Sequence, residues 1–583
     1  MRISDKNSQK NRLCQPRQSG SLPKVLACLL CAAFLLLALA GCLADVQMTE
    51  PEEMPPVTTA DPTQTSETAA SDDDQEQDTA PSDPYLQRPS QPGGTLRLWW
   101  PLEEGAAHPL LAQSRSAQAV FSLVFEGLFT VMDDQTLKPG LADTMSDPAD
   151  AAQVILHLKR GTSFHHGENV TAHDAAACIA YILDHPEQSP FAAGLRSITG
   201  VTAEDDYTLI LELSEPDPWL AYQLTFPVLP AAYLDLAADA LIPGTGLFSM
   251  REWSDDQTLL LTKAKPTDDP SELREIRVRT YADLRAALTG FSSDEIDLVF
   301  LDAELYQLYR PRTSLRFRTF SGERQIFLSY NTDTDAFLSS EPRFLALKYL
   351  VSQVFYQDLY HALGETAQVP LSIRTGLLEG HMPDLLTVIE SFQPQAWEDT
   401  DHVLTLIRPE QDAARSMIAD EIGHILEQAG ISWQDRPLTA ADFTEAVLSG
   451  TYDLALMEAV LPAAPDPGWL YLSELDRRLD RHDIKPDDQE GETARQSTGL
   501  AFADYHYWQN NLRQMWRNRS PQQLMDGESL ALLLSNTAAR APWDGLVIRH
   551  EAILYNERII GVSRPNRFRP YEGIEDLWVW STR

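Results

Sequence analysis

Between Phe164 and Ala175 the chain reads FHHGENVTAHDA, three histidines and two acids within twelve residues. Histidines and carboxylates bind zinc and move protons, so a metal or catalytic site would be sought here first. The spacing argues against both. His165 and His166 are adjacent, and in extended chain neighbouring side chains point to opposite sides. The stretch follows QVILHL, where Val154, Leu156 and Leu158 alternate as in a strand, and it leads into an apolar run closed by Pro186. Thr171 and Asp174 form a capping-box pair at the start of that run and place an acid at the positive end of the helix. His173 then falls in the first, solvated turn. The stretch reads as strand, turn and capped helix, and neither a metal nor a catalytic residue is assigned to it.

Other catalytic signatures are missing from the chain as well. There is no Gly-x-Ser-x-Gly elbow and no phosphate-binding Gly-x-x-x-x-Gly-Lys, and HEAIL at His550 lacks the second histidine of a zinc protease. No cofactor is implied.

The elements that carry these residues sit behind a leader. A basic start (Arg2, Lys6, Lys10, Arg12, Arg17, Lys24) precedes the apolar run Val25 to Gly41, the n- and h-regions of a secretory signal. That run is shorter than the roughly 20 residues a membrane helix needs. Its end, Leu39-Ala40-Gly41-Cys42, resembles the bacterial lipobox, which implies cleavage before Cys42 and a diacylglycerol on its sulfur. Cys14, Cys28 and Cys31 would leave with the signal, so Cys178 alone could not make a disulfide framework.

Residues 42–93 are rich in Pro, Thr, Ser, Asp and Glu and lack apolar periodicity, which reads as a disordered tether. Losing residues 1–41 removes six basic residues and one acidic one, leaving 40 against 85, a net charge of −45. Such a chain is repelled by nucleic acid, and no nucleic-acid partner is expected. The remaining 490 residues exceed what one core usually supports. Strand patterns (GTLRLWW, YTLILELSEP, ISWQDRPL, YDLALMEAV) alternate with helical ones. SAQAVFSLVFEGLFTVM spaces Val120, Leu123, Val124 and Leu128 as one long helix; AARSMIADEIGHILEQAG stops at Gly430, and ADFTEAVLSG stops at Gly450. The fold class is α/β.

LHLKRGTSFHHGENVTAHDAAACIAYIL resembles the signature of the extracellular solute-binding proteins of ABC transporters, family 5, the oligopeptide, dipeptide and nickel-binding type. Arg160, Gly161, Phe164, His165, Gly167, Thr171, Ala172 and Asp174 carry the match. EGLFTVMDDQTLKPGLAD, VTAEDDYTLILELSEPDPWL, PGTGLFSM, IFLSYNT and LSGTYDLALMEAV are similar to later family segments in the same order. The resemblance implies a bilobal periplasmic-binding-protein-like fold: lobe I over 94–321 completed by 539–583, lobe II over 322–538, and a ligand cleft at the hinge. It also implies capture of a peptide or peptide-like solute, delivery to ABC permease subunits, and a monomer held at the outer membrane face by lipid on Cys42. Two alternatives stand beside it, a sensor lipoprotein of the same fold with no transport role and, more remotely, a secreted hydrolase.

Peptide-binding members carry an amine-pairing aspartate shortly after the strand matching YDLALMEAV; here Pro462 or Ala463 stands there, with Glu458 and Asp466 flanking. The expected ligand residues are Trp99, Trp100, Tyr330, Asn331, Glu458, Asp466 and Trp469, and the expected guest is extended and uncharged or basic. Cys42→Ala should accumulate as uncleaved precursor that takes up no radiolabelled palmitate; label on a mature-length chain would refute acylation at Cys42.

Overall fold

The computed structural model describes residues 94–579 apart from 103–107, 149–151, 218, 237–239, 268–272, 313, 333–335, 353–362, 367–396, 398–400, 465–541 and 562–563. Cys42, Asp466 and Trp469 lie outside the described residues.

The first body is built on two sheets. β1 (Thr95–Pro101) is the GTLRLWW strand, and after the short helix α1 (Arg115–Phe121) the chain forms the hairpin β2 (Phe129–Val131) and β3 (Leu137–Pro139). β4 (Ala142–Met145), β5 (Gln153–Leu158), β6 (Ile198–Asp205) and β7 (Thr208–Leu213) make an antiparallel sheet in the order β4-β5-β7-β6. In β5 the alternation holds: Val154, Leu156 and Leu158 are buried while Gln153 and His157 are exposed. The capped helix α2 (Ala172–Asp184) buries Ala175, Cys178, Ile179 and Ile182 in the same core. Past the short helix α3 (Leu220–Gln223), β8 (Phe248–Trp253), β9 (Thr258–Lys263) and β10 (Glu275–Tyr281) join β1 in the order β1-β10-β9-β8, with β1 and β10 parallel.

The single long helix expected from Ser116 onward is not formed; α1 ends at Phe121. The backbone beyond it has other partners. Gly246 N–H donates to Val124 O at 2.8 Å and Phe248 N–H to Leu123 O at 2.9 Å, so the chain turns along the 244–248 segment. Gly244 permits that approach, because a Cβ there would stand 1.9 Å from Val124 O. Apolar spacing alone does not reveal such tertiary competition for carbonyls.

Helices α4 (Leu284–Ser292) and α5 (Ala303–Tyr309) flank β11 (Leu298–Leu301). β11 begins the seven-stranded sheet that runs β11-β17-β12-β16-β14-β15, with β13 (Gly364–Thr366) also on β17. Its long members are β12 (Arg316–Tyr330) and β17 (Trp543–Tyr555), antiparallel along nearly their whole length. After β12 and the helix α6 (Glu341–Ser352), a parallel unit follows: β14 (Leu404–Pro409), α7 (Ala413–Gln428), β15 (Trp433–Leu438), α8 (Ala440–Ser449) and β16 (Leu454–Val460). Asp412 caps α7 through Arg415 N–H, and Gly430 and Gly450, at φ of 75° and 70°, close the two helices in left-handed conformation. The chain ends in the pair β18 (Ile559–Ile560) and β19 (Trp578–Val579).

The apolar packing divides along β12 and β17. Ile553 and Ile559 belong to the core of the first body, whereas Ile326, Leu328, Tyr330, Leu546 and Val547 belong to a second core with Leu406, Ile418, Ile422 and Leu454. Inside that second core Lys348 of α6 is 1% exposed. Its Nζ lies 2.7 Å from Asp544, and the Tyr330 hydroxyl donates to the other carboxylate oxygen at 2.5 Å. Burial lowers the pKa of Lys348 against the pull of Asp544. Lys348→Met leaves Asp544 facing an apolar side chain, which costs about 3 to 5 kcal/mol. Urea unfolding should show that loss, with much of it recovered in Lys348→Met/Asp544→Leu; a single-mutant loss under about 1 kcal/mol would contradict the buried pair's role.

Candidate functional site

Where the two cores meet, the strand pair breaks register. Ser321 pairs with His550 and Gln325 with Ile548, so Gly322, Glu323 and Arg324 of β12 stand opposite Arg549 alone. This bulge places two charged side chains at the point where apolar packing changes from one body to the other. Gly322 leaves room for β17: a Cβ on it would lie 2.5 Å from Glu551 Cγ and 2.7 Å from Arg549 O.

Two ionic chains meet here. In one, Arg115 of α1 clasps both long strands, pairing with Glu551 of β17 and, at 3.3 Å, with Glu323 of β12, while its Nη2 donates to Arg567 O at 2.7 Å. The Arg115 guanidinium also lies over the Phe300 ring, 4.9 Å from its centre. In the other, Glu458 of β16 accepts from Arg324 Nη1 at 2.9 Å with one oxygen and from Arg549 Nη1 at 2.8 Å with the other. Arg549 continues to Asp412 at 3.9 Å, and Asp412 pairs with Arg415 at 2.7 Å. Burial works against the charge of Glu458, but Arg549, Arg415 and Arg324 outweigh it and hold its pKa below the ordinary value. Glu551 goes the other way. Burial, with Glu323 and Asp302 nearby, pushes it up to about 7 in spite of Arg115, and its Oε2 has no hydrogen-bond partner among the described residues.

Next to the bulge, the loop after β16 bridges both bodies. Leu461 N–H donates to Glu323 O at 2.6 Å, and Ala463 O accepts from the side-chain amide of Gln135, in the β2–β3 turn, at 3.4 Å. Gln135 is fully buried and its backbone is left-handed, at φ 63°. Tyr222 anchors it by donating from its hydroxyl to Gln135 O at 2.8 Å.

The residues singled out from sequence are placed as follows. Trp99 and Trp100 are both buried but on opposite faces of β1; Trp100 packs edge-on to Phe121 and Trp253, and Trp99 lies among Ile296, Val299 and Leu554. Tyr330 is fully buried on Asp544, and the Asn331 amide donates to the carbonyls of Gly450 and Tyr452 at 2.8 and 2.9 Å. These four are held in packing or by internal hydrogen bonds. Among the described ones Glu458 reaches the junction, and each of its oxygens accepts from an arginine. Glu458 thus meets two guanidiniums at the junction. His165 bridges the backbone of the 244–246 segment, while His166 and His173 lie nearest Glu168 and Asp206. No group of three or more metal-binding side chains occurs among the described residues.

Sequence reading missed Arg115, Arg324, Arg549 and Glu551. A signal was present for Arg549 and Glu551: Arg-His-Glu at 549–551 stands between the apolar runs LVI and AIL, and charges inside such a strand require buried partners.

The family model for bacterial extracellular solute-binding proteins, family 5 (middle region), matches residues 136–476, more than half of the sequence. The chain belongs to this family. Among curated proteins it is 28% identical over 214 residues to the periplasmic oligopeptide-binding protein OppA of Escherichia coli, covering 32% of this chain and 39% of that one. It is 24% identical over 301 residues to the probable deoxycholate-binding periplasmic protein YgiS of the same organism, covering 47% and 54%. The chain thus spans about two-fifths to half the length of these relatives. Among solved structures, HbpA2 from Haemophilus parasuis superposes with a TM-score of 0.61 at 15% identity, over 83% of this chain and 100% of that one. The murein tripeptide-binding protein MppA in its unliganded open form gives 0.60 at 15% identity, over 84% and 98%. The fold is the bilobal α/β fold of periplasmic binding proteins, and the described residues contain no helix long and apolar enough to cross a membrane.

The position of Glu551 sets a pH dependence. In the unfolded chain its carboxyl titrates near 4.3, and in the folded chain at about 7. The folded state therefore keeps a proton that the unfolded state has lost, and the stability this gives is complete below about pH 4.3 and disappears as pH rises through about 7. Relative to Glu551→Gln, the native protein should lose up to about 3 kcal/mol between pH 4.5 and 8 in urea unfolding. Parallel pH profiles would show that Glu551 is ionised throughout.

Proposed function

We propose that this protein is the solute-binding component of an ABC importer, held at the outer face of the membrane by lipid on Cys42, and that it captures a peptide or peptide-like solute between its lobes. The observation that carries this reading is the family's fold together with the strand pair β12/β17, which joins two separately packed cores at a charged junction. Such a junction suits binding by closure. A solute touching both lobes stabilises the closed form by whatever contacts the open form lacks, and the two connecting strands absorb the rotation.

The first lobe is assigned to residues 94–321 with the C-terminal strands, and the second to 322–538. Contacts from Asp466 and Trp469 belong to the same reading, as does docking of the monomer on permease subunits. The relatives support a peptide-like solute in different degrees: OppA is by its name an oligopeptide binder, whereas YgiS is described as binding deoxycholate. No catalytic step is assigned.

Protein purified without denaturation and then extracted with acid should release short peptides identifiable by mass spectrometry. Added to refolded, ligand-free protein at about a hundred times Kd, the same peptides should stabilise it by about 2.7 kcal/mol. An extract without peptides, combined with no stabilisation by a broad peptide pool, would overturn the peptide assignment.

A further inference from the structure

The second ionic chain is not neutral within itself. Arg324, Arg549 and Arg415 share two carboxylates, Glu458 and Asp412, and Arg549 binds one oxygen of Glu458 and approaches Asp412 at 3.9 Å. Arg549 and Arg415 are nearly buried, with side chains 5% and 13% exposed. Arg324, at the other end, is 30% exposed. It sits in the bulge between the two cores, beside the 461–463 loop that Gln135 reaches from the first lobe.

Among the described residues Arg324 bonds through Nη1, to Glu458. Its Nε and Nη2 meet no acceptor among the described residues. Those two atoms form one edge of the planar guanidinium, the edge that takes both oxygens of a carboxylate in parallel hydrogen bonds. The other acids facing Arg324 are Glu323 and Glu304. Glu323 is engaged by Arg115. Glu304, on α5, is an exposed residue whose carboxyl is nonetheless raised by partial desolvation and by Asp302.

We propose that the free edge of Arg324 binds a carboxylate of the solute, making this arginine a charge-selecting ligand residue. The anion completes a chain of three guanidiniums and two carboxylates. This reverses, at the junction, the preference for uncharged or basic guests suggested by the chain's net charge: that charge is spread over the whole surface and screened within about 8 Å, while Arg324 acts in direct contact. The proposal rests on the reading of the protein as a peptide binder. The carboxylate can be a peptide's C-terminus or an acidic side chain.

Three synthetic pools of tri- to pentapeptides distinguish these sources: neutral side chains with a free C-terminus, the same peptides amidated, and amidated peptides each carrying one Glu. Binding is measured by calorimetry and native mass spectrometry on ligand-free protein and on Arg324→Gln and Arg324→Lys. At least one carboxylate-bearing pool should bind native protein about tenfold or more tightly than the neutral amidated pool. That ratio should fall to about twofold or less in Arg324→Gln and be partly retained in Arg324→Lys. Glu458 keeps Arg549 in both variants, and matching melting temperatures will confirm that they fold; should Arg324→Gln fail to fold, the ratio in native protein and in Arg324→Lys decides. Equal binding of all three pools, or an undiminished ratio in Arg324→Gln, overturns the assignment while leaving peptide binding intact. Failure of every pool to bind refutes the peptide reading and this inference with it.

Discussion

Two backbones, β12 and β17, must serve two hydrophobic cores at once, and the rest of the molecule is arranged around that constraint. Their hydrogen-bonded ladder continues from Arg316 to Ser329 on one strand and from Tyr555 to Trp543 on the other, yet the apolar side chains they supply belong to different cores at the two ends. Between the cores charged side chains occupy the change-over and must find partners there. The bulge at Gly322–Arg324 and the Arg549–Glu551 segment opposite it answer that need with ion pairs instead of packing.

This arrangement differs in kind from the bodies on either side. Each core is close-packed, and parts of it are pinned by buried polar clusters such as Lys348 with Asp544 and Tyr330. At the junction the contacts are directional and few, and they tie helix α1, the β16 strand and both crossing strands through charged side chains. Within the proposed function, the same contacts place charge where a solute lies, so the hinge and the binding surface share residues. Arg115 satisfies two strands and one carbonyl, whereas Arg324 is left with an open edge.

Much of the local structure was legible in the sequence. Thr171 and Asp174 capping α2, Gly430 and Gly450 ending α7 and α8, and the alternation in β5 are set by interactions within a few residues, so the pattern suffices to find them. The long helix expected after Ser116 failed where the carbonyls of Leu123 and Val124 were claimed by a segment more than a hundred residues away. The paired tryptophans were correctly read as strand residues, and alternation puts them on opposite faces, but pattern could not show which elements pack on each face.

The sequence by itself determined the capped helices, the alternating strands and the family resemblance, because short-range periodicity, capping and glycine placement act through the chain itself. It also contained the charged triplets at 322–324 and 549–551, without revealing their partners. Tertiary structure decided which charges cancel. Glu458 stands close to Asp466 in sequence, and the crossing strands bring Arg324 and Arg549, 134 and 91 residues distant, onto its two oxygens. Electrostatic pairing depends on distance in space and on burial, and neither is recorded in sequence spacing.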